Sequence, residues 1–174
     1  MTRYGIWLIN ALFCMQAHAF DFPKRKSGLW EIKTNATTPG PAGANPGPVV
    51  MQMCIDEKTD NAAQQQAGGF SKQNCSKQDV KRSGTTMTVD TVCNLGQTTA
   101  TTHSVFTGSF DSAYKVDTKS TYDPPLGGMR EGGAVIEAKW LGACKADQRP
   151  GDMILGNGMK MNMNDFNGAP PPRR

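Results

Sequence analysis

Four cysteines, Cys54, Cys75, Cys93 and Cys144, constrain this chain more than any other feature, because each pairing among them fixes which segments lie side by side. Whether they pair depends on the compartment, and the first residues read as an export signal. Arg3 gives a positive start, Tyr4 to Phe13 is an apolar run, and Ala17-His18-Ala19 offers small residues for cleavage before Phe20. The apolar run falls well short of the roughly 20 residues that cross a bilayer as a helix. No later stretch comes closer, so no transmembrane segment is expected in the mature chain. Cys14 lies where a lipidated cysteine would, but Leu12 and Phe13 precede it where lipoprotein processing needs small residues, and it leaves with the signal. Outside the cytoplasm the remaining four are expected as disulfides. None of them forms a Cys-x-x-Cys pair, which removes support for a zinc ribbon or a thioredoxin-like redox centre.

The pattern between the cysteines is that of strands. Gly28 to Ala36 alternates, with Trp30 and Ile32 on one side and Glu31 and Lys33 on the other. A Pro/Gly loop over 37–48 leads to Val49, Met51, Met53 and Ile55, completing a hairpin that ends at Cys54. Asp56 caps a short helix through Ala67, which Gly68-Gly69 is expected to end, and its apolar face is only alanine. Ser83-Gly84 turns a second hairpin that ends at Cys93. Asp111-Ser112 turns a third, between Thr98–Phe110 and Ala113–Tyr122, with Pro124-Pro125 as its expected stop. The glycine-rich 127–133 leads to a last strand, Ala134 to Leu141. Threonine is dense from 85 to 121, and its branched Cβ suits a pleated strand. The expected fold is all-β: an antiparallel meander of about seven strands forming a small barrel or half-barrel, with one short helix and a disordered C-terminal tail. The domains are then a signal peptide at 1–19, a disulfide-stabilised β domain at 20–144, and a flexible Gly/Pro/Met-containing tail at 145–174.

Two pairings compete. Joining Cys54 to Cys75 and Cys93 to Cys144 ties the helix against the sheet, whereas joining Cys75 to Cys93 uses their near-opposition across the Ser83-Gly84 hairpin and leaves Cys54 for Cys144. Chain entropy does not choose between them. The first scheme is preferred, since so weakly apolar a helix has few other means of being held.

The order Gly28-Leu29-Trp30-Glu31, then Cys54 before a helical insert, Cys75 before a Ser-Gly hairpin, Cys93 closing it, and Leu141-Gly142-Ala143-Cys144 resembles the small exported bacterial proteins grouped as domain of unknown function 3617. The resemblance covers about 27–144. It implies a Gram-negative envelope protein and assigns no activity.

Little in the chain points to catalysis. The one histidine after the signal, His103, lies in a threonine-rich strand and reads as solvent-facing; no Gly-x-Ser-x-Gly elbow accompanies it. Glu31 and Glu137 are expected to face water, and with Glu131, Asp111 and Asp123 they form no recognisable catalytic pair. The stretch 162–168 resembles part of a calcium loop but lacks the acidic twelfth position. The formal charge of +4 is scattered rather than gathered on one face, which argues against nucleic acid as a partner. No catalytic residue, cofactor or metal ligand is assigned. Trp30, Phe106, Tyr114 and Trp140 are the candidates for lining an apolar cavity in a small barrel. Methionine is the one enrichment: Met159, Met161 and Met163 alternate in the tail, and thioethers are soft ligands that select Cu(I), while Met51 and Met53 continue a strand and read as core. The function expected is therefore that of an exported, periplasmic or secreted, non-catalytic protein binding an apolar small molecule or another envelope component. The alternatives are Cu(I) handling through the Met-rich tail, or an enzyme of unknown class.

Overall fold

The computed structural model describes residues 22–38 and 47–166. The signal residues, including Arg3, Cys14, Ala17, Ala19 and Phe20, lie outside them, as do most of the Pro/Gly loop and 167–174.

The seven expected strands all form: β1 (Gly28–Ala36), β2 (Val49–Ile55), β3 (Cys75–Ser83), β4 (Thr86–Leu95), β5 (Thr98–Ser109), β6 (Ala113–Leu126) and β7 (Met129–Gly142). Two more, β8 (Asp152–Leu155) and β9 (Lys160–Asn162), come from the segment read as a tail, and a 3-10 turn (Met163–Phe166) follows. The count is therefore nine, and the segment from 152 to 163 packs on the domain. Its backbone is tied at both ends, by Gly151 N–H to Cys54 O (2.8 Å) and Met163 N–H to Gly151 O (2.9 Å).

All pairings are antiparallel in one sheet of order β3-β4-β5-β6-β7-β1-β2-β8-β9. The sheet is not closed. A barrel requires the first and last strands to pair, whereas here β3 forms one edge and β9 the other. The helix α1 (Glu57–Asn74) connects β2 to β3, and the sheet order explains its length. Six interstrand steps of about 4.8 Å separate those strands, or about 29 Å, and 18 helical residues rise about 27 Å. Spanning that width carries the helix through Gly68-Gly69, where it was expected to end. Glycine costs about 1 kcal/mol there relative to alanine. In return Asp56 and Thr59 form a reciprocal capping box, and Asp60, buried in the first turn, accepts from the Arg25 backbone N–H (2.9 Å) and from Arg25 Nε (2.7 Å). The helix is thus held by two ion pairs, Arg25–Asp60 and Lys24–Glu57, not by its alanines.

That crossover also corrects the disulfides. Cys54 and Cys75 stand at opposite ends of a helix about 27 Å long, against the roughly 6 Å between α-carbons that a disulfide bridges. The bonds formed are Cys75–Cys93 and Cys54–Cys144. Cys75 and Cys93 face each other in the β3–β4 register. Leu29 of β1 has Cys54 on one side and Gly142 on the other, so the chain leaving β7 crosses the start of β1 to reach β2.

Gly28 makes that crossing possible. It holds φ +133°, and a side chain there would collide with the Gly142 carbonyl and the Trp140 indole. At the other end of β7, Pro124-Pro125 does not stop β6: the register breaks after Thr121 and resumes at Leu126 opposite Met129, an irregularity of the kind that accommodates proline. The glycine-rich stretch read as a loop is mostly strand, and Gly127-Gly128, at φ +57° and +86°, make the turn. The core cluster of Trp30, Met53, Ile55 and Ala138 lies where β7, β1 and β2 meet, with Met51, Tyr114, Trp140, Met153 and Met163 packed around it.

Candidate functional site

Residues directly opposite in antiparallel strands share a face of the sheet. Across β4 to β7 one face begins as apolar rows, Met87-Phe106-Val116-Ile136 and then Val89-Ser104-Thr118-Ala134, and ends in Thr91-Thr102-Ser120-Gly132. Along it Thr102 Oγ1 meets Ser120 Oγ at 2.8 Å and Ser104 Oγ meets Thr118 Oγ1 at 3.0 Å, so the half-buried hydroxyls satisfy one another.

The opposite face carries charge. Its rows are Asp90-His103-Lys119 and Val92-Thr101-Thr121-Glu131. Together with Lys77 of β3, with Thr37 and Thr38 beyond β1 and with the Thr91-Thr102-Ser120-Gly132 row they line a groove of about 720 Å³. Thr37 and Thr38 are held in place by β7: Thr37 N–H donates to Gly133 O (2.9 Å), and Gly133 N–H donates to Thr38 Oγ1 (3.1 Å). Within the groove His103 Nδ1 lies 2.6 Å from Asp90 Oδ1, and that bond, more than any nearby charge, holds the Asp90 carboxyl below its ordinary range. Lys77, Lys119 and Glu131 are exposed and make no ion pair among the described residues.

An Asp–His pair orients an imidazole, which is one step toward general base catalysis. Among the described residues, no side chain hydrogen-bonds the other ring nitrogen. The groove offers fixed polar contacts and both signs of charge. Among the described residues no group of three His, Cys, Asp or Glu side chains is placed to hold a metal ion.

The family described as protein of unknown function (DUF3617) matches residues 25–144. The chain belongs to this family. No curated protein and no solved structure matches it. The DUF3617 match contains the whole groove and both disulfides, and it ends before β8 and β9.

The four aromatic candidates lie outside the groove lining, three of them at the core cluster and Phe106 in the apolar row of β5. Trp30 is fully buried and donates from Nε1 to Lys26 O (2.8 Å). Its ring lies 5.7 Å from Tyr114, which stacks at 4.5 Å on Phe110, which in turn lies 6.5 Å from Phe106. Burial of Tyr114 raises its phenol above the ordinary range. Trp140, opposite Trp30 in the register, donates to Ser27 O (3.1 Å) and has Lys26 Nζ 3.8 Å from its ring centroid. These rings pack on one another, and none of the four lines the groove. The three tail methionines part company. Met159 is exposed in the β8–β9 turn, Met161 faces Met153 across that hairpin, and Met163 packs against the core.

His103 is half exposed, as its strand position implies; its partner Asp90 is what reading the sequence missed. The signal was present: Gly96 turns the β4–β5 hairpin, and counting outward from Leu95 opposite Thr98 places Asp90 opposite His103.

Proposed function

We propose that this protein is an exported, non-catalytic component of the bacterial envelope that binds a polar envelope constituent in the groove across β3 to β7. The observation that carries the reading is the set of charged side chains of both signs, Lys77, Lys119 and Glu131, that make no ion pair among the described residues, beside the oriented Asp90–His103 pair and a border of threonine hydroxyls. Charged groups left without partners around a concavity favour a ligand that brings its own polar complement. The same lining disfavours an apolar ligand, and the aromatic side chains that would receive one are occupied with each other. Export is supported by the apolar leader and by the two disulfides, which persist in oxidising compartments.

The test is purification of the protein from the envelope fraction of a producing Gram-negative cell, followed by N-terminal sequencing and mass spectrometry of whatever small molecules accompany it. The mature chain should begin at Phe20, and a polar compound should accompany the parent protein but not a His103→Ala/Lys119→Ala variant. A chain retaining Met1 removes the export half of the reading. An apolar compound, or one that the variant retains, removes the binding half.

A further inference from the structure

β2 and the distant β8–β9 hairpin bring methionines into one row. Met53 of β2 lies directly opposite Met153 of β8, and Met153 lies directly opposite Met161 of β9. Directly opposed residues project from the same face with β-carbons about 4.5–5.5 Å apart, and a methionine side chain has three rotatable bonds with which to adjust its sulfur. Met51 stands two residues along β2 on that same face, and Met163, just past β9, packs against the core beside it. Half the ten methionines of the chain thus gather at one corner of the fold. Trp30 is the next member of the row, opposite Met53.

We propose that Met53, Met153 and Met161 form a binding site for Cu(I). Thioethers are neutral, soft donors that select Cu(I) over Zn²⁺, Mg²⁺ or Ca²⁺. The harder ligands that would broaden the selection are missing from this row: the cysteines are committed to disulfides, Asp152 projects from the other face of β8, and among the described residues His, Cys, Asp and Glu form no metal-ligating group of three. A singly charged ion with sulfur ligands also suits a partly enclosed place. Met53 is buried, while Met153 and Met161 are half-buried toward the β9 edge, so an ion has a path in from solvent. The set differs from the one that alternation in the sequence singles out, since Met159 lies in the turn and takes no part. Two of the three donors come from residues beyond the DUF3617 match, so the site belongs to this chain's C-terminal extension of the domain.

The experiment is an anaerobic titration of the purified, disulfide-bonded protein with Cu(I) held by bicinchoninate, with tryptophan fluorescence recorded in parallel. The protein should withdraw one equivalent and quench emission from Trp30. Met153→Leu, which conserves volume and removes the central sulfur, should weaken binding at least tenfold, and Met159→Leu should leave it unchanged. Failure of the parent to withdraw copper overturns the proposal. So does equal binding by Met153→Leu, or a loss confined to Met159→Leu. Should Met153→Leu fail to fold, Ag(I) titration of the parent with ¹³C-methyl-labelled methionine decides: the Met53, Met153 and Met161 methyls should shift together, and their remaining still overturns the site.

Discussion

The two ends of the sheet use the same strand architecture for opposite purposes. Where β7, β1, β2 and β8 meet, the shared face is filled by Trp30, Met53, Ile55 and Ala138, and the Cys54–Cys144 bond reaches across 90 residues of sequence to hold it. Across β3 to β7 the other face carries threonine and charge, its exposed rows line a groove, and Cys75–Cys93 spans only 18 residues, within one hairpin. One end excludes water and joins distant parts of the chain; the other keeps water at its surface and is held locally. On the function proposed above, stability and recognition are separated along the sheet, and so they are expected to respond separately to mutation.

The largest effect should come from the long-range disulfide. In the chain-entropy model a closed loop of 90 residues is worth about 4.6 kcal/mol and one of 18 about 3 kcal/mol. Replacing Cys54 and Cys144 together by alanine should therefore lower the unfolding free energy more than replacing Cys75 and Cys93, by about 1 kcal/mol or more. The margin should grow because Cys54 is fully buried and its sulfur is lost from the core. Urea denaturation of both double variants measures it; equal losses would break the contrast between the two ends. Trp30→Ala belongs to the same class, at about 3–5 kcal/mol.

A smaller effect should appear with pH where the extension joins the domain. Asp152 is buried at the start of β8. Its carboxylate accepts from the Arg149 backbone N–H (3.0 Å) and Asn162 Nδ2 (2.8 Å) and lies 3.0 Å from Lys160 Nζ. The backbone bond first, then the Asn162 amide, outweigh the desolvation and bring its pKa down to about 2. A carboxyl depressed on folding adds stability that is present above its unfolded pKa, about 4, and lost as pH falls through its folded value. The parent should thus lose about 2 kcal/mol between about pH 4 and pH 2 that Asp152→Asn, already weakened at neutral pH, does not lose. Acid titration followed by amide hydrogen exchange in β8 and β9 reads this directly. Identical acid profiles for parent and variant would show that the extension is held by packing alone.

The order of these effects follows what was legible in the residues. Strict alternation around Trp30 and Trp140 and the turn dipeptides Ser83-Gly84 and Asp111-Ser112 are local signals, and they place all seven strands of the DUF3617 domain. What they do not carry is sheet order. That Cys54 meets Cys144 depends on α1 carrying the chain from β2 to β3, six places away in the sheet, a non-local fact that the helix's weak apolar face conceals, because its anchors are the Arg25–Asp60 and Lys24–Glu57 pairs. Nor was β8 readable: Asp152 to Leu155 is four residues beside Pro150 and several glycines, and it becomes a strand because β2 offers an unpaired edge and Met53 a side chain to pack against. The groove was half legible. His103 stood out as the lone histidine, but its meaning required Asp90, Lys119 and Glu131 from three other strands.

The smallest stability effect is expected in the groove, and there it is the most informative. His103 and Asp90 are both more than one-third exposed, the Lys119 side chain bonds to no protein group among the described residues, and exposed pairs of this kind contribute little to folding. His103→Ala and Lys119→Ala should each leave the denaturation midpoint unchanged within error while weakening capture of the polar ligand. Trp30→Met should do the reverse, lowering the midpoint while the protein that remains folded binds as the parent does, since Trp30 contributes nothing to the groove lining. Measuring both properties on all three variants gives a double dissociation. A groove variant that lost stability would mean that the Asp90–His103 pair is a structural clasp across β4 and β5, and a Trp30 variant that lost binding at full folding would mean that the packed end reaches through the sheet to shape the site.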